Sequence, residues 1–205
     1  MQTKTFAIVA GALTAGVLAA TAGFVLIGGQ DSAAAQCNAG VVAGDLGGPF
    51  ELVSETGETV TDADVITEPS LIYFGYTFCP DVCPLDTVRN AEVVDLLAED
   101  GKEVQPIFIT VDPARDTVEV VDDFTANIHP DMLGLTGSDE QVQSVSQTYR
   151  TYFNRHDDEG DEFYLVDHST FSYLVTPEAG VVGVFRRELT ADQLAEQASC
   201  VLDAA

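Results

Sequence analysis

The pattern of apolar and polar residues becomes regular from about residue 50 onward. Residues 50–60 alternate apolar and polar side chains around a turn at Thr56-Gly57, which predicts a β-hairpin. The continuous apolar run at residues 71–76 is typical of a buried central strand, because a strand covered on both faces needs apolar side chains throughout. The apolar residues Val88, Ala91, Val94 and Leu97 then recur at helical steps and predict a helix that ends near Gly101.

The middle of the chain continues the alternation of strands with helices. A second apolar run at residues 106–111 predicts another buried strand, followed by a turn at Asp112-Pro113. Periodic apolar positions then predict one helix over residues 117–128 and another over residues 139–153.

The last third of the chain predicts antiparallel strands and a closing helix. An acidic loop at residues 157–162 leads into the apolar run 163–166. Residues 171–175 and 181–185 flank a turn and predict a hairpin, and Thr190 is expected to cap a final helix. Strands that alternate with helices predict an α/β fold, whose mixed sheet has parallel pairs covered by helices and an antiparallel hairpin.

The N-terminal segment has a different pattern, because residues 5–29 contain no charged side chain. That length is sufficient to cross a bilayer, and a cleaved signal peptide ending near Ala33-Ala34-Ala35 is the alternative. Lys4 precedes the span and Asp31 is the first charge after it, so the positive-inside rule sends the following domain outward. We expect a bacterial inner-membrane protein whose domain faces the periplasm.

The predicted organisation is a membrane anchor at residues 1–29, a Gly/Ala-rich linker at residues 30–46 and one domain at residues 47–205. The formal net charge of −26 lies almost entirely on that domain, since Lys4 is the only charged residue in the first 30. So acidic a surface repels phosphates, which excludes nucleic-acid binding. The charge otherwise fits a solvated surface, a basic partner or loosely held cations.

Candidate chemistry begins with Cys79 and Cys83, four residues apart where the central strand gives way to a helix. With Cys83 in the first helical turn, both sulfurs can face one point, and the helix N-terminus favours thiolates. Such a pair can cycle between dithiol and disulfide or hold a soft metal. A structural disulfide is the alternative, but Pro80, Asp81 and Pro84 fix a loop that such a bridge does not need.

The remaining two cysteines and the three histidines are expected to have different roles. Cys37 and Cys200 are expected to form a structural disulfide that pins the linker to the last helix, with a second metal site as the alternative. His129 and His156 lie in polar surroundings and are expected at the surface. His168 lies between two apolar segments; it is a structural residue or a ligand, depending on whether its loop faces Cys79.

Three motifs together resemble the Sco family, called SenC in bacteria. They are Cys-Pro-Asp-Val-Cys-Pro at residues 79–84, Val-Asp-Pro-Ala-Arg-Asp-Thr at residues 111–117 and Val-Asp-His-Ser at residues 166–169. The resemblance implies a thioredoxin-like fold with copper held by Cys79, Cys83 and His168. It also implies a role in assembling the dinuclear copper centre of cytochrome c oxidase.

Ligand chemistry agrees with this implication, since two thiolates suit Cu(I) and an added imidazole also accommodates Cu(II). The expected partners are the copper-receiving oxidase subunit, a periplasmic copper donor and a thiol reductase that keeps Cys79 and Cys83 reduced. Asp112, Asp116 and Thr117 can simply form a turn and a helix cap, or support the site indirectly. Asp167 either orients His168 or is a solvated turn residue.

Three functions follow from these residues. The first is a copper metallochaperone, favoured by His168 together with the four-residue cysteine spacing. The second is a thiol–disulfide oxidoreductase that reduces the cysteines of its target through Cys79 and Cys83. The third is a copper- or redox-signalling component that acts through a membrane partner.

Overall fold

A computed structural model of the protein describes residues 37–40, 46–156 and 163–204. Within these ranges the strands, here β1 to β9, are Glu51–Ser54, Thr59–Thr61, Ser70–Gly75, Gln105–Thr110, Leu133–Thr136, Phe153–Arg155, Val166–His168, Ser172–Thr176 and Gly180–Phe185. The helices, here α1 to α5, are Asp62–Val65, Val82–Glu99, Val118–Ile128, Asp139–Thr148 and Ala191–Ala204.

Seven of these strands form one mixed sheet in the order β2-β1-β5-β4-β3-β8-β9. The pairs β3–β4 and β4–β5 are parallel, and the remaining pairs are antiparallel. Strands β6 and β7 pair antiparallel with each other in a separate two-stranded ribbon. The predicted mixed α/β sheet, with parallel central strands and a closing antiparallel hairpin, is therefore confirmed.

The core divides into two apolar clusters because successive strand residues point to opposite faces of the sheet. On β3, Leu71 belongs to the cluster formed with α2 and α5, and Ile72 belongs to the cluster formed with α3 and α4. All six residues of β3 are buried, as the continuous apolar run predicted. The central strands are thus covered by helices on both faces.

This topology brings three chain segments to one edge of the sheet. Because β4 runs parallel to β3, the residues that follow the two strands lie at the same edge. Because β8 runs antiparallel to β3, with Tyr73 opposite Ser172, the residues that precede β8 lie there as well. The segments after β3, after β4 and before β8 carry the three sequence motifs.

Several predicted elements differ from the structure. The helix predicted over residues 139–153 ends at Thr148, because the chain turns at Arg150, whose φ is 49°, and Phe153 begins β6. Strand β5 was not predicted. Although Val88 fits the helical spacing, it is 51% exposed, whereas Thr87 and Asn90 on the same helix are buried.

The N-terminal predictions fall mainly on residues that the structure does not describe. The predicted span at residues 5–29 lies outside the described residues, as does the acidic loop 157–162. In the part that is described, no helix combines the length and apolarity needed to cross a membrane. Residues 37–40, within the predicted linker, contact the domain: Gly40 pairs with Val184 of β9 and Ala39 is buried.

Candidate metal site

Cys79 and Cys83 lie at the turn that joins β3 to α2. Cys83 is the second residue of α2, and its backbone N–H donates a hydrogen bond to Cys79 Sγ at 3.3 Å. Both cysteines are buried and neither forms a disulfide. The predicted placement of Cys83 in the first helical turn, with the two thiols together, is therefore confirmed.

Gly75, the last residue of β3, leaves the space that Cys83 occupies. A Cβ atom at this position would lie 3.2 Å from Cys83 Sγ, 2.9 Å from the Tyr73 ring and 3.1 Å from the Phe108 ring. These separations are tighter than ordinary van der Waals contact, so a larger residue would displace the thiol. The glycine is needed for close approach, since its backbone lies in a regular strand.

His168 is the last residue of β7, and its ring reaches the two thiols. Its Nε2 atom lies 3.1 Å from Cys83 Sγ, and Nδ1 lies 2.9 Å from the carbonyl oxygen of Ser169. Because a carbonyl only accepts, Nδ1 carries the proton and, in the neutral ring, the Nε2 lone pair faces the cysteines. The rings of Tyr73 and Tyr76 pack edge-on against the imidazole, with centroid separations of 6.3 and 5.7 Å.

The two thiols differ in their affinity for protons. Hydrogen bonding from Cys83 lowers the pKa of Cys79 to about 3. The hydrogen bond to Cys79, together with burial, raises the pKa of Cys83. At neutral pH the pair therefore holds one thiolate, on Cys79, and one proton, on Cys83.

The three side chains form a set that fits one metal ion. Their ligand atoms lie within 4.8 Å of one another. Typical bonds of about 2.3 Å to sulfur and about 2.0 Å to nitrogen, as zinc forms, allow ligand atoms on a shared ion to be up to about 4.6 Å apart. Small side-chain movements are enough to place Cys79, Cys83 and His168 around an ion, and two sulfurs with one imidazole favour a soft metal.

The other predicted cysteines and histidines lie elsewhere. Cys37 and Cys200 form a disulfide, which confirms the predicted structural bridge. His156 is exposed and contacts Asp167 at 2.8 Å, and His129 contacts Asp95 at 3.3 Å. Asp167 therefore does not orient His168, which uses the Ser169 carbonyl instead.

Residues 112–116, here called the 112–116 turn, contact segments on both sides of the site, in line with the predicted alternative of indirect support. Thr117 caps α3 as one of the predicted alternatives, through a hydrogen bond from the Val120 N–H. Asp112 and Asp116, however, are fully buried, and they bind residues on both sides of the site. The motif itself contained the signal, since two carboxylates flank Arg115, but the partners on distant segments could not be identified from it.

Comparison with known proteins yields one family. The sequence model of the SCO1/SenC family matches residues 39–203. Protein SenC of Rhodobacter capsulatus is 46% identical over 206 residues, which cover 100% of this chain and 93% of SenC. Protein SCO1 homolog 1, mitochondrial, of Arabidopsis thaliana is 40% identical over 152 residues, which cover 74% of this chain but only 45% of that protein.

A solved structure shares the fold. The crystal structure of Arabidopsis thaliana ScoI with copper bound has a TM-score of 0.72 and 38% sequence identity. The match covers 77% of this chain and 99% of that one. The predicted thioredoxin-like architecture of the domain is thereby supported.

Proposed function

Because this chain belongs to the SCO1/SenC family, we propose that it binds copper through Cys79, Cys83 and His168 and delivers the ion to cytochrome c oxidase. The observation that carries the proposal is the 3.1 Å contact between Cys83 Sγ and His168 Nε2, beside the thiolate of Cys79. The copper-bound plant relative supports the identity of the metal. The receiving site is proposed to be the dinuclear copper centre, from the resemblance carried by the three motifs.

The ligand chemistry fits an ion that is carried and released. Two sulfur ligands suit Cu(I), and the imidazole extends the set to Cu(II). Zinc usually takes four ligands in a structural site, and these three residues leave such a site incomplete. An incomplete coordination shell allows an incoming ligand of the receiving protein to bind the ion before the donor ligands dissociate.

The surface beside the site supports docking of a partner protein. Large apolar side chains within three residues of each proposed ligand are exposed: Phe78 is next to Cys79, Leu85 lies two residues after Cys83, and Leu165 lies three residues before His168. Exposed apolar side chains close in sequence to each of three clustered residues support an interaction surface around them. The copper-receiving oxidase subunit and a periplasmic copper donor are the proposed partners.

The proposed location is the bacterial inner membrane, with residues 1–29 as the anchor and the domain in the periplasm. The disulfide between Cys37 and Cys200 supports an oxidising compartment, where such bonds persist. The same compartment oxidises unprotected thiols, so a thiol reductase is proposed to keep Cys79 and Cys83 able to bind copper.

A thiol–disulfide oxidoreductase is the second candidate, and the low pKa of Cys79 favours it. The Cys79 thiolate would attack a disulfide of the target, forming a mixed disulfide and releasing one thiolate. Cys83 would then attack Cys79 Sγ, leaving a Cys79–Cys83 disulfide and releasing the second thiol. The target gains two electrons, and an external dithiol reductase restores the pair.

Copper binding by the purified, reduced full-length chain under anaerobic conditions separates the two functions. Wild type is expected to bind one equivalent, and Cys79→Ala and His168→Ala are each expected to bind more weakly. His129→Ala is the matched control, since His129 lies away from the site and contacts Asp95. A wild type that binds no copper but exchanges disulfides through Cys79 and Cys83 would replace the chaperone with the oxidoreductase.

A further inference from the structure

His168 depends on contacts outside the main sheet for its position. Its strand β7 pairs with β6 in the two-stranded ribbon, whereas Cys79 follows β3 at the centre of the seven-stranded sheet. No β-pairing of the described residues joins the ribbon to that sheet. Other contacts must therefore fix the distance between His168 and the thiols.

The 112–116 turn makes such contacts with the ribbon side of the site. Asp112, fully buried, accepts a hydrogen bond from the Tyr164 hydroxyl at 2.6 Å and forms an ion pair with Arg115 Nε at 2.5 Å. Arg115 Nη1 donates to the carbonyl oxygen of Tyr164 at 2.9 Å. Arg155 of β6 also approaches Asp112, at 3.8 Å. Tyr164, four residues before His168, is thus held at both its backbone and its side chain.

The same turn holds the segment that leads to Cys79. Asp116, also fully buried, accepts hydrogen bonds from the Thr77 N–H at 3.0 Å and the Thr77 hydroxyl at 2.6 Å. The Arg115 guanidinium lies 3.6 Å from the Tyr164 ring centroid and 5.0 Å from that of Phe78, the residue before Cys79. Arg115 therefore contacts both ligand-bearing segments at once.

We infer that Arg115 is a positioning residue of the copper site, which sets the distance between His168 and the thiol pair by holding Tyr164 against the 112–116 turn. This inference rests on the proposed copper function. A planar guanidinium can donate hydrogen bonds through its edge while its face stacks on an aromatic ring. A lysine ammonium donates hydrogen bonds but has no planar face to stack. Because its partner Asp112 is buried, the ion pair is not weakened by solvent as a surface pair is.

The test is a double-mutant cycle on copper affinity, measured with the reduced full-length chain. Arg115→Lys and Arg115→Gln are made in wild type and in His168→Ala. In the wild-type background each Arg115 substitution is expected to lower copper affinity about 10- to 100-fold, which is typical for loss of a residue that orients a metal ligand without binding the ion. In the His168→Ala background the further loss is expected to stay within about twofold, because Arg115 acts through the missing imidazole.

Two further readouts separate positioning from folding. Hydrogen exchange of amides 163–169 in the copper-free protein is expected to speed up in Arg115→Gln, while exchange in β3 and β4 stays unchanged. When Arg115→Gln is loaded with Cu(II), its electron paramagnetic resonance spectrum is expected to lose the nitrogen hyperfine signal that His168 gives in wild type. Lys102→Gln is the control, since it removes one positive charge from an ion pair with Asp203 that involves neither the turn nor the ligands.

The outcomes distinguish the inference from the proposed function. Unchanged affinity in Arg115→Gln, or equal losses in both backgrounds, would overturn the positioning role while leaving copper binding intact. A wild type without copper affinity would overturn the proposed function instead. In that case the exchange of residues 163–169 decides the positioning role alone: faster exchange supports it, and unchanged exchange overturns it.

Discussion

The two cysteine pairs of this chain differ in bonding state: one pair forms a disulfide and the other consists of free thiols. Cys37 and Cys200 are separated by 163 residues and form a disulfide with Cα atoms 5.7 Å apart. Cys79 and Cys83 are four residues apart, lie in hydrogen-bonding contact and remain free thiols. The difference lies in their partners, because Cys37 is bonded through Cys200 to the last helix, whereas Cys83 Sγ lies 3.1 Å from the imidazole of His168.

Sequence separation and polar contacts together indicate whether a cysteine pair stabilises the fold or takes part in chemistry. A bridge across a long separation restricts the unfolded chain strongly, whereas a bridge across four residues restricts it little. The short pair therefore adds little stability as a disulfide, and its asymmetric proton affinities suit exchange or metal binding. Each of the following predictions affects one pair and leaves the other as an internal reference.

The largest effect on stability is expected from removing the disulfide between Cys37 and Cys200. In Cys37→Ala/Cys200→Ala the free energy of unfolding should fall by about 2–5 kcal/mol, because the unfolded chain gains the freedom that the bridge withheld. Guanidinium chloride unfolding measures the change, and copper affinity should stay at the wild-type value. Cys79→Ala/Cys83→Ala is the matched control, and a comparable loss of stability in that variant would contradict the division of roles.

A smaller effect is expected from filling the space beside Cys83. Gly75→Ala should destabilise the fold by about 1–3 kcal/mol, since the added Cβ overlaps Tyr73, Phe108 and the Cys83 thiol. Thermal unfolding and copper titration of the same sample check both consequences, and the affinity should fall as Cys83 is displaced. Gly57→Ala is a useful comparison, because its Cβ would meet no neighbouring atom and its only penalty is its φ of 82°. Wild-type copper affinity in Gly75→Ala would show that the thiol does not need this space.

Changing the pH by one unit is expected to have the smallest effect, and it acts on copper affinity. Cys79 is already ionised, because its pKa is about 3, while the raised pKa of Cys83 keeps its proton until a metal displaces it. Copper affinity should therefore rise with pH, by about tenfold per unit between about pH 7 and 9, as one proton is released per ion. Isothermal titration in buffers of different ionisation enthalpy counts that proton. Release of two protons would mean that both thiols are protonated in the free protein.

The elements that the sequence predicted well are those with a strong local pattern. The continuous apolar run of β3 and the periodic positions of α2 placed Cys79 and Cys83 at a strand-to-helix turn without any tertiary information. Strand β5 was not predicted because it has only four residues, one of which is Gly134, and so short an alternation is a weak signal. The end of α4 was misjudged because the apolar Phe153 continues the helical spacing beyond Arg150.

The sequence identified the three side chains that the fold brings together, but not the residues that support them. His168 was identified through a motif, since a single histidine in an apolar region carries no local signal of what it faces. The buried carboxylates Asp112 and Asp116 resembled turn and cap residues, because polar groups near a strand end usually serve such roles. Their partners Tyr164 and Thr77 lie 52 and 39 residues away, and only the folded sheet brings them together.

The antiparallel pairing of β8 with β3 has a consequence for the order of events during synthesis. His168 follows Cys83 by 85 residues, and both its own strand β7 and the next strand β8 belong to the last fifth of the chain. A ribosome-bound chain that lacks β8 has both thiols but no fixed imidazole. The cluster of Cys79, Cys83 and His168 therefore forms only once translation and sheet closure are nearly complete, and a truncated product would lack it.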